Sequence, residues 1–151
     1  MKKFRFSLET VLEYKNQALD ALRAEHGAIL AQVRAQEAVI EGLETEHREA
    51  DEDFTRRKLE GINILDALNY EQYLRSLERE IQEEQRKLDA LRRQEEKKRE
   101  QVVEAKKETS TIEKLREHKL EDYRKAEQKD QEQQIEEFVA TTRAMAAVGA
   151  G

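Results

Sequence analysis

The feature that most constrains this chain is an apolar repeat that runs along nearly all of it and breaks once, near residues 58–66. On both sides of the break, apolar residues recur alternately three and four positions apart, which is the a and d spacing of a coiled coil. We call these positions the seam. The seam residues are Leu8, Leu12, Leu19, Leu22, Ile29, Val33, Ile40, Leu43, Ala50 and Phe54 before the break, and Tyr70, Leu74, Leu77, Ile81, Leu88, Leu91, Val102, Ala105 and Ile112 after it. The pattern predicts an all-α fold in which two helices pack along the seam.

The composition fits long helices and does not fit a globular core. Charged residues make up 41% of the chain and aromatic residues 5%, which is typical of coiled coils. Low hydrophobicity and high charge also mark disordered chains. Disorder, however, gives no reason for leucines to recur every 3 to 4 residues, about the 3.5-residue period of a heptad. We therefore expect ordered helices that fray only at their ends.

The break in the pattern is where we expect the chain to fold back. Gly61 lies inside it, and glycine readily takes the left-handed conformation that ends a helix. When the two seams are laid antiparallel, Phe54 opposes Tyr70 in a register that is centred on Ile62. Glycine chemistry and heptad register thus indicate the same turn. This agreement favours a hairpin within one chain over a parallel dimer, and we expect a monomer when the protein is free.

We predict one domain over residues 1–151, a long two-helix antiparallel coiled-coil hairpin with unequal arms. Asn63 or Asp66 can cap the second helix. The end of that helix has no counterpart in the first, and an unpaired helix with spaced apolar residues is marginal in water unless a partner covers it. We therefore favour a partner-binding segment there over a polar tail. The predicted segments are helix 1 at about 7–57, the turn at about 58–65, helix 2 at about 66–140 and a frayed tail at 141–151.

Several seam positions are polar, which usually sets the register of a coiled coil and lowers its stability. We expect the middle of the hairpin to be marginally stable for this reason. The histidines among them are too far apart along a helix to share a metal ion. The polar seam residues are Lys15, His26, Gln36, His47, Glu84, Glu95, Lys98 and Thr109.

Composition and architecture exclude several classes of function. A two-helix coiled coil has almost no interior for a pocket, so we expect no enzyme activity, no catalytic residues, no metal site and no cofactor. The formal net charge is −6 with both signs mixed throughout, which argues against nucleic-acid binding. No apolar run approaches the roughly 20 residues that span a bilayer, so we expect no direct membrane insertion. The chain should act by binding other proteins.

Three stretches, taken in order, resemble the FliJ family, the coiled-coil component of the bacterial flagellar export apparatus. The opening Phe4–Lys15 is similar to the family's aromatic-x-Phe-x-Leu-x-x-Val-Leu start, and Asn69–Ile81 resembles its most recognisable segment. The ending Gln134–Val139 is similar to the family's acidic-Phe ending. The resemblance covers nearly the full chain, and it agrees with the hairpin length and the unequal arms.

The resemblance implies a non-catalytic export component that associates with the export ATPase hexamer and couples it to the membrane export gate. Carried over by position, it implies that Tyr73 and Leu77 bind the gate; Tyr73 lies just off the seam. It also implies a cytoplasmic protein held peripherally at the inner membrane, at the flagellar base. The residues that this reading assigns to ATPase binding are Leu115, Tyr123, Ile135, Phe138 and Val139.

Other functions fit the same pattern. An escort for export chaperones is one, and the same hairpin could serve it as well as the ATPase. A structural coiled-coil spacer needs only a seam. The equivalent stalk protein of a virulence-type secretion system would look much the same, although the opening and the Asn69–Ile81 segment favour the flagellar version.

Overall fold

The computed structural model describes residues 2–149 and contains two long α-helices in that range. Helix α1 spans Glu9–Glu60, 52 residues, and helix α2 spans Ile64–Gly149, 86 residues. The two helices pack antiparallel against each other, which confirms the predicted all-α fold with unequal arms. The packing divides the described chain into two compact units. We call Asp20–Val103 the turn unit, and the described residues on either side of it the terminal unit.

The turn between the helices uses glycine and asparagine chemistry. Gly61 has a φ of 104°, a left-handed conformation that confirms its predicted role, and its N–H donates to the Arg57 carbonyl at 2.9 Å. The side-chain oxygen of Asn63 accepts a hydrogen bond from the Asp66 N–H at 2.8 Å. The Asn63 amide in turn donates to the Asp66 carboxylate at 3.1 Å. The first of these bonds is the N-cap hydrogen bond, from the N3 backbone N–H to the cap side chain, so Asn63 is the cap.

The helices extend further towards the turn, and further at the C-terminal end, than the sequence suggested. Helix α1 begins at Glu9 rather than about 7, because the Glu9 N–H donates to the Phe6 carbonyl in a preceding turn. The turn holds only residues 61–63, since Gly61 and Asn63 complete the reversal by themselves. Helix α2 continues to Gly149 rather than about 140, because residues 140–148 include no glycine or proline to stop it. Residues 150 and 151 of the predicted tail lie outside the described residues.

In the turn unit, an aromatic stack joins the helices beside the turn. The rings of Phe54 and Tyr70 lie 5.0 Å apart at an interplanar angle of 4°, which confirms the predicted pairing. The Lys58 ammonium lies 3.8 Å from the centre of the Phe54 ring, and the Arg57 guanidinium lies 5.6 Å from the centre of the Tyr70 ring. Cations over aromatic rings are attracted to them, so each ring of the stack is stabilised by a nearby cation.

A carboxylate beside the stack links it to the turn's cations. The Tyr70 hydroxyl donates to Asp53 Oδ2 at 2.6 Å, and Asp53 also pairs with Arg56 and Arg57. The hydrogen bond from Tyr70 is the main cause that holds the pKa of Asp53 below its ordinary value of 3.8, with the two arginines contributing. The same hydrogen bond raises the pKa of Tyr70 above 10.0.

The middle of the turn unit holds an apolar cluster. Val33, Ile40 and Leu88 are buried together, and Ile29 and Leu91 pack against them. These are all seam residues, and they come from both helices. The part of the coiled coil that we expected to be marginal therefore contains a contiguous core.

All of the polar seam residues except Thr109 find partners across the two helices. The Gln36 amide donates to the Glu84 carbonyl at 2.9 Å and to its carboxylate, and this second bond lowers the pKa of Glu84. His26 Nε2 lies 3.0 Å from Glu95 Oε1. Among the described residues, no buried side-chain nitrogen or oxygen lacks a hydrogen-bond partner. The penalty for an unsatisfied buried polar group is therefore avoided.

The terminal unit has its own small core. Phe6, Leu12 and Leu19 are buried there. Thr109 is fully buried too, and its hydroxyl donates to the Ala105 carbonyl at 2.8 Å, within its own helix. Ion pairs flank this core, with Lys15 Nζ 2.9 Å from Glu108 and Arg116 Nε 2.9 Å from Glu9.

We predict that Tyr70→Phe lowers the melting temperature at neutral pH and changes its dependence on pH. The pKa of Asp53 is depressed, so its contribution is present above about pH 4 and is lost as the pH falls through the folded value. The pKa of Tyr70 is raised, so its contribution is present below about pH 10 and is lost as the pH rises further. The difference in melting temperature between wild type and variant should therefore become smaller at both low and high pH. Circular dichroism measures this melting temperature.

The matched control for this experiment is Tyr14→Phe, since the Tyr14 side chain is exposed. It should leave the melting temperature unchanged over the same pH range. The range from pH 3 to pH 11 extends on the order of one pH unit beyond both ordinary pKa values. If Tyr70→Phe lowers the melting temperature by the same amount over this whole range, the hydrogen bond is not the cause.

Candidate partner-binding surfaces

The residues that the sequence assigns to partners fall into two groups in different units. Tyr73 and Leu77 belong to the turn unit, whereas the five residues assigned to the ATPase belong to the terminal unit. Helix α2 carries both groups.

Tyr73 is accessible on the surface of the turn unit. Its side chain is 43% exposed, and its hydroxyl donates to Glu46 Oε1 of the facing helix at 2.5 Å. This hydrogen bond is the main cause that raises the pKa of Tyr73 above its ordinary value. A shallow hollow of about 230 Å³ adjoins the ring, and it is lined by Arg57, Asp66, Asn69, Tyr70 and Tyr73.

Leu77 lies between the helices rather than on the surface. It is only 4% exposed, because it occupies a seam position one helical turn beyond Tyr73. His47 and Glu78 form a neighbouring pair across the helices, with 3.1 Å between Nε2 and Oε1. This pair covers that side of the seam. A partner could touch the Leu77 side chain only if the helices separated locally.

A group of exposed apolar residues surrounds the turn, and the sequence reasoning missed it. We call Leu59, Ile64, Leu65 and Leu68 the turn cap; their side chains are between 49% and 85% exposed. None of them is a seam residue. The signal was available in the sequence, because these are large apolar residues next to Gly61 that the heptad count leaves unused.

The end of helix α2 is exposed along its whole length. Every residue of 131–149 is exposed, and we call this segment the α2 extension. Three of the residues assigned to the ATPase, Ile135, Phe138 and Val139, lie on it, and the Phe138 side chain is 73% exposed. Met145 and Val148 are exposed there too, and the sequence reasoning did not single them out. These residues recur at helical spacing and form an apolar stripe.

The other two residues assigned to the ATPase lie nearer the paired part of the terminal unit. Leu115 is exposed, whereas Tyr123 is half-buried under the N-terminal segment. The Phe4 ring lies 5.6 Å from the Tyr123 ring, and the Tyr123 hydroxyl donates to the Lys2 carbonyl. The seam count began at Leu8 and missed this contact, although two phenylalanines, Phe4 and Phe6, stand before it.

Both helices are amphipathic over much of their length, yet neither has a membrane-spanning stretch. Within residues 2–149, no helix is both long enough and apolar enough to cross a bilayer.

We predict that Leu77→Ala lowers the free energy of unfolding by about 2 kcal/mol or more, because it deletes buried seam packing. Leu65→Ala, which truncates an exposed leucine of the turn cap, should change it by less than about 0.5 kcal/mol. Urea unfolding followed by circular dichroism compares the two. Equal stability of the two variants would mean that Leu77 is not packed between the helices.

The comparison with known families agrees with this architecture. The family model described as the flagellar FliJ protein matches residues 4–146. No curated protein matches the chain, and no solved structure matches it. The family match includes the opening segment, both helices and most of the α2 extension. The chain therefore belongs to the flagellar FliJ protein family, and this membership makes it a component of the flagellar protein export apparatus.

Proposed function

We propose that this protein is a non-catalytic coupler that binds the export ATPase hexamer with the α2 extension and the membrane export gate with the turn unit. The observation that carries the proposal is the α2 extension, a helical segment whose apolar side chains have no cover from the described chain. Burial of such a face stabilises a helix far more than its own propensity does. A partner surface is the natural source of that burial.

The chemistry of the α2 extension suits a groove between helices. Ile135, Phe138 and Val139 are spaced three and four residues apart, so they share one face of the helix. Amphipathic helices bind such grooves through apolar anchors at this spacing. The flanking residues Glu136 and Glu137 are acidic and exposed, which favours a partner groove with basic residues along its edge.

The turn unit offers a second, chemically different surface. Tyr73 combines an exposed ring with a hydroxyl held by Glu46, so the side chain is already ordered before a partner arrives. An ordered aromatic side chain loses little conformational freedom on binding, and tyrosine is enriched among residues that dominate interfaces. The hollow beside it gives a partner side chain a place to enter.

The two surfaces are joined by a single helix. Helix α2 is continuous from Ile64 to Gly149 and contributes to both units. Exposed apolar residues in both units favour a coupler over a spacer, since a spacer needs a seam but no exposed apolar surface. We also propose that the gate contact holds the protein peripherally at the membrane, at the flagellar base.

We expect the triple variant Ile135→Gln, Phe138→Gln, Val139→Gln to bind the export ATPase at least about tenfold more weakly, a loss of about 1.4 kcal/mol. Glutamine is a good helix former, so the far-ultraviolet circular dichroism should not change. Isothermal titration calorimetry with the purified ATPase measures the effect.

The control for the α2 extension is Val39→Gln with Val103→Gln, which changes exposed apolar residues of the turn unit. It should bind the ATPase like the wild type. If the triple variant also binds like the wild type, the ATPase does not use the α2 extension.

Tyr73→Ala should weaken binding to the purified gate protein and reduce motility, because it removes the ordered ring. ATPase binding should survive, since Tyr73 belongs to the other unit. Tyr73→Phe separates the ring from the hydroxyl and should retain most of the affinity. Tyr14→Ala, at another exposed tyrosine, is the matched control. Unchanged gate binding by Tyr73→Ala would remove Tyr73 from the proposed interface.

A further inference from the structure

The turn cap is the most concentrated apolar surface in the turn unit. Leu59 lies in the last turn of helix α1, while Ile64 and Leu65 lie in the first turn of α2 and Leu68 lies in the next. Their side chains are exposed. Clusters of exposed large apolar residues usually mark interaction sites, whereas scattered ones do not.

The fold does not need the turn cap for its own packing. Ile64, Leu65 and Leu68 are three and four residues apart, so they share one face of α2. The seam uses a different face, on which Tyr70 stacks against Phe54. The turn-cap leucines and isoleucine can therefore be changed without disturbing the contact that holds the helices together.

Three cations stand beside the turn cap, and contacts within the turn unit hold them there. Arg56 and Arg57 pair with Asp53, and Lys58 lies over the Phe54 ring. An apolar surface with ordered cations at its border fits a partner groove that is apolar at its base and acidic along its edge.

Acidic residues within the same surface decide between a protein and a lipid partner. Glu60 follows Leu59 directly, and Asp66 follows Leu65. Insertion of the turn cap among anionic lipids would press these carboxylates against negatively charged headgroups. A protein groove can instead pair both signs of charge individually, so the mixed pattern favours a protein.

A second copy of this chain fits the turn cap poorly. A symmetric contact between two turn caps would bring the cations Arg56, Arg57 and Lys58 of both copies close together, and like charges repel.

We propose that the turn cap is the main apolar contact with the membrane export-gate protein, which binds it in an apolar groove with an acidic edge. The proposal rests on the gate binding proposed above and changes which residues supply the apolar contact. Leu77 is buried, whereas the turn cap is exposed. Asp66 and Asn69, which line the hollow beside Tyr73, directly follow the turn-cap residues Leu65 and Leu68. Tyr73 therefore follows the turn cap closely along helix α2.

The test compares two full-length double variants for binding to the purified cytosolic part of the gate protein. Ile64→Ser with Leu65→Ser removes apolar side chains that are 80% and 69% exposed. Met145→Ser with Val148→Ser removes side chains that are 71% and 83% exposed on the α2 extension. The turn-cap variant should bind at least about tenfold more weakly, and the control variant should bind like the wild type. All four side chains are exposed, and exposed substitutions usually change stability little, so both variants should keep the wild-type melting temperature.

A second experiment tests the role of the cations beside the turn cap. Arg56→Gln with Lys58→Gln should make gate binding less sensitive to salt, because two cations no longer face the acidic edge. An unchanged salt dependence would overturn the acidic-edge part of the proposal.

Each other outcome decides a different question. If Tyr73→Ala weakens gate binding but the turn-cap variant binds like the wild type, the turn-cap proposal is wrong and the gate function stands. If the wild type does not bind the gate protein, the proposed gate function fails and the turn-cap proposal fails with it. If the turn-cap variant loses only its co-sedimentation with phosphatidylglycerol vesicles and keeps gate binding, the partner is a lipid surface and the proposal is overturned.

Discussion

The pairing of the two helices beside the turn is the constraint on which the rest of the structure depends. The Phe54 and Tyr70 rings stack, and the Tyr70 hydroxyl holds Asp53. Only Gly61, Ile62 and Asn63 separate the helices in the sequence, so the turn is too short to let one helix slide along the other. A slip of one heptad would separate the rings and break the hydrogen bond at once. The register of the other contacts between the helices follows from this pair.

Polar residues in the seam add specificity to that register. Gln36 with Glu84, His26 with Glu95 and Lys15 with Glu108 each join the two helices. Partly exposed pairs of this kind contribute little stability in water. A different register, however, would separate these three pairs. The polar seam thus acts mainly against alternative pairings, as polar residues at a positions do in other coiled coils.

In a coiled coil most large apolar residues lie on the seam, so clusters of large apolar residues off the seam indicate binding surfaces. In this chain such clusters are the turn cap and the α2 extension, whereas other exposed large apolar residues, such as Val39 and Val103, are scattered. The N-terminal segment shows how such a residue can be covered from within, since Phe4 packs on Tyr123. Residues 131–149 have no such cover. The chemistry of both exposed surfaces is that of protein interfaces, which suits a component of an export apparatus.

The sequence by itself determined the two helices, the turn at Gly61 and the Phe54–Tyr70 pairing. Heptad spacing and glycine geometry are local properties, readable from residue order alone. It also indicated that Leu77 belongs to the seam, that Tyr73 lies off it and that the end of α2 has no counterpart in α1. Only the tertiary structure decided that Tyr123 lies under Phe4 and that Asn63 rather than Asp66 caps α2. These outcomes depend on which side chains meet across helices and at their ends, and residue order does not specify that geometry.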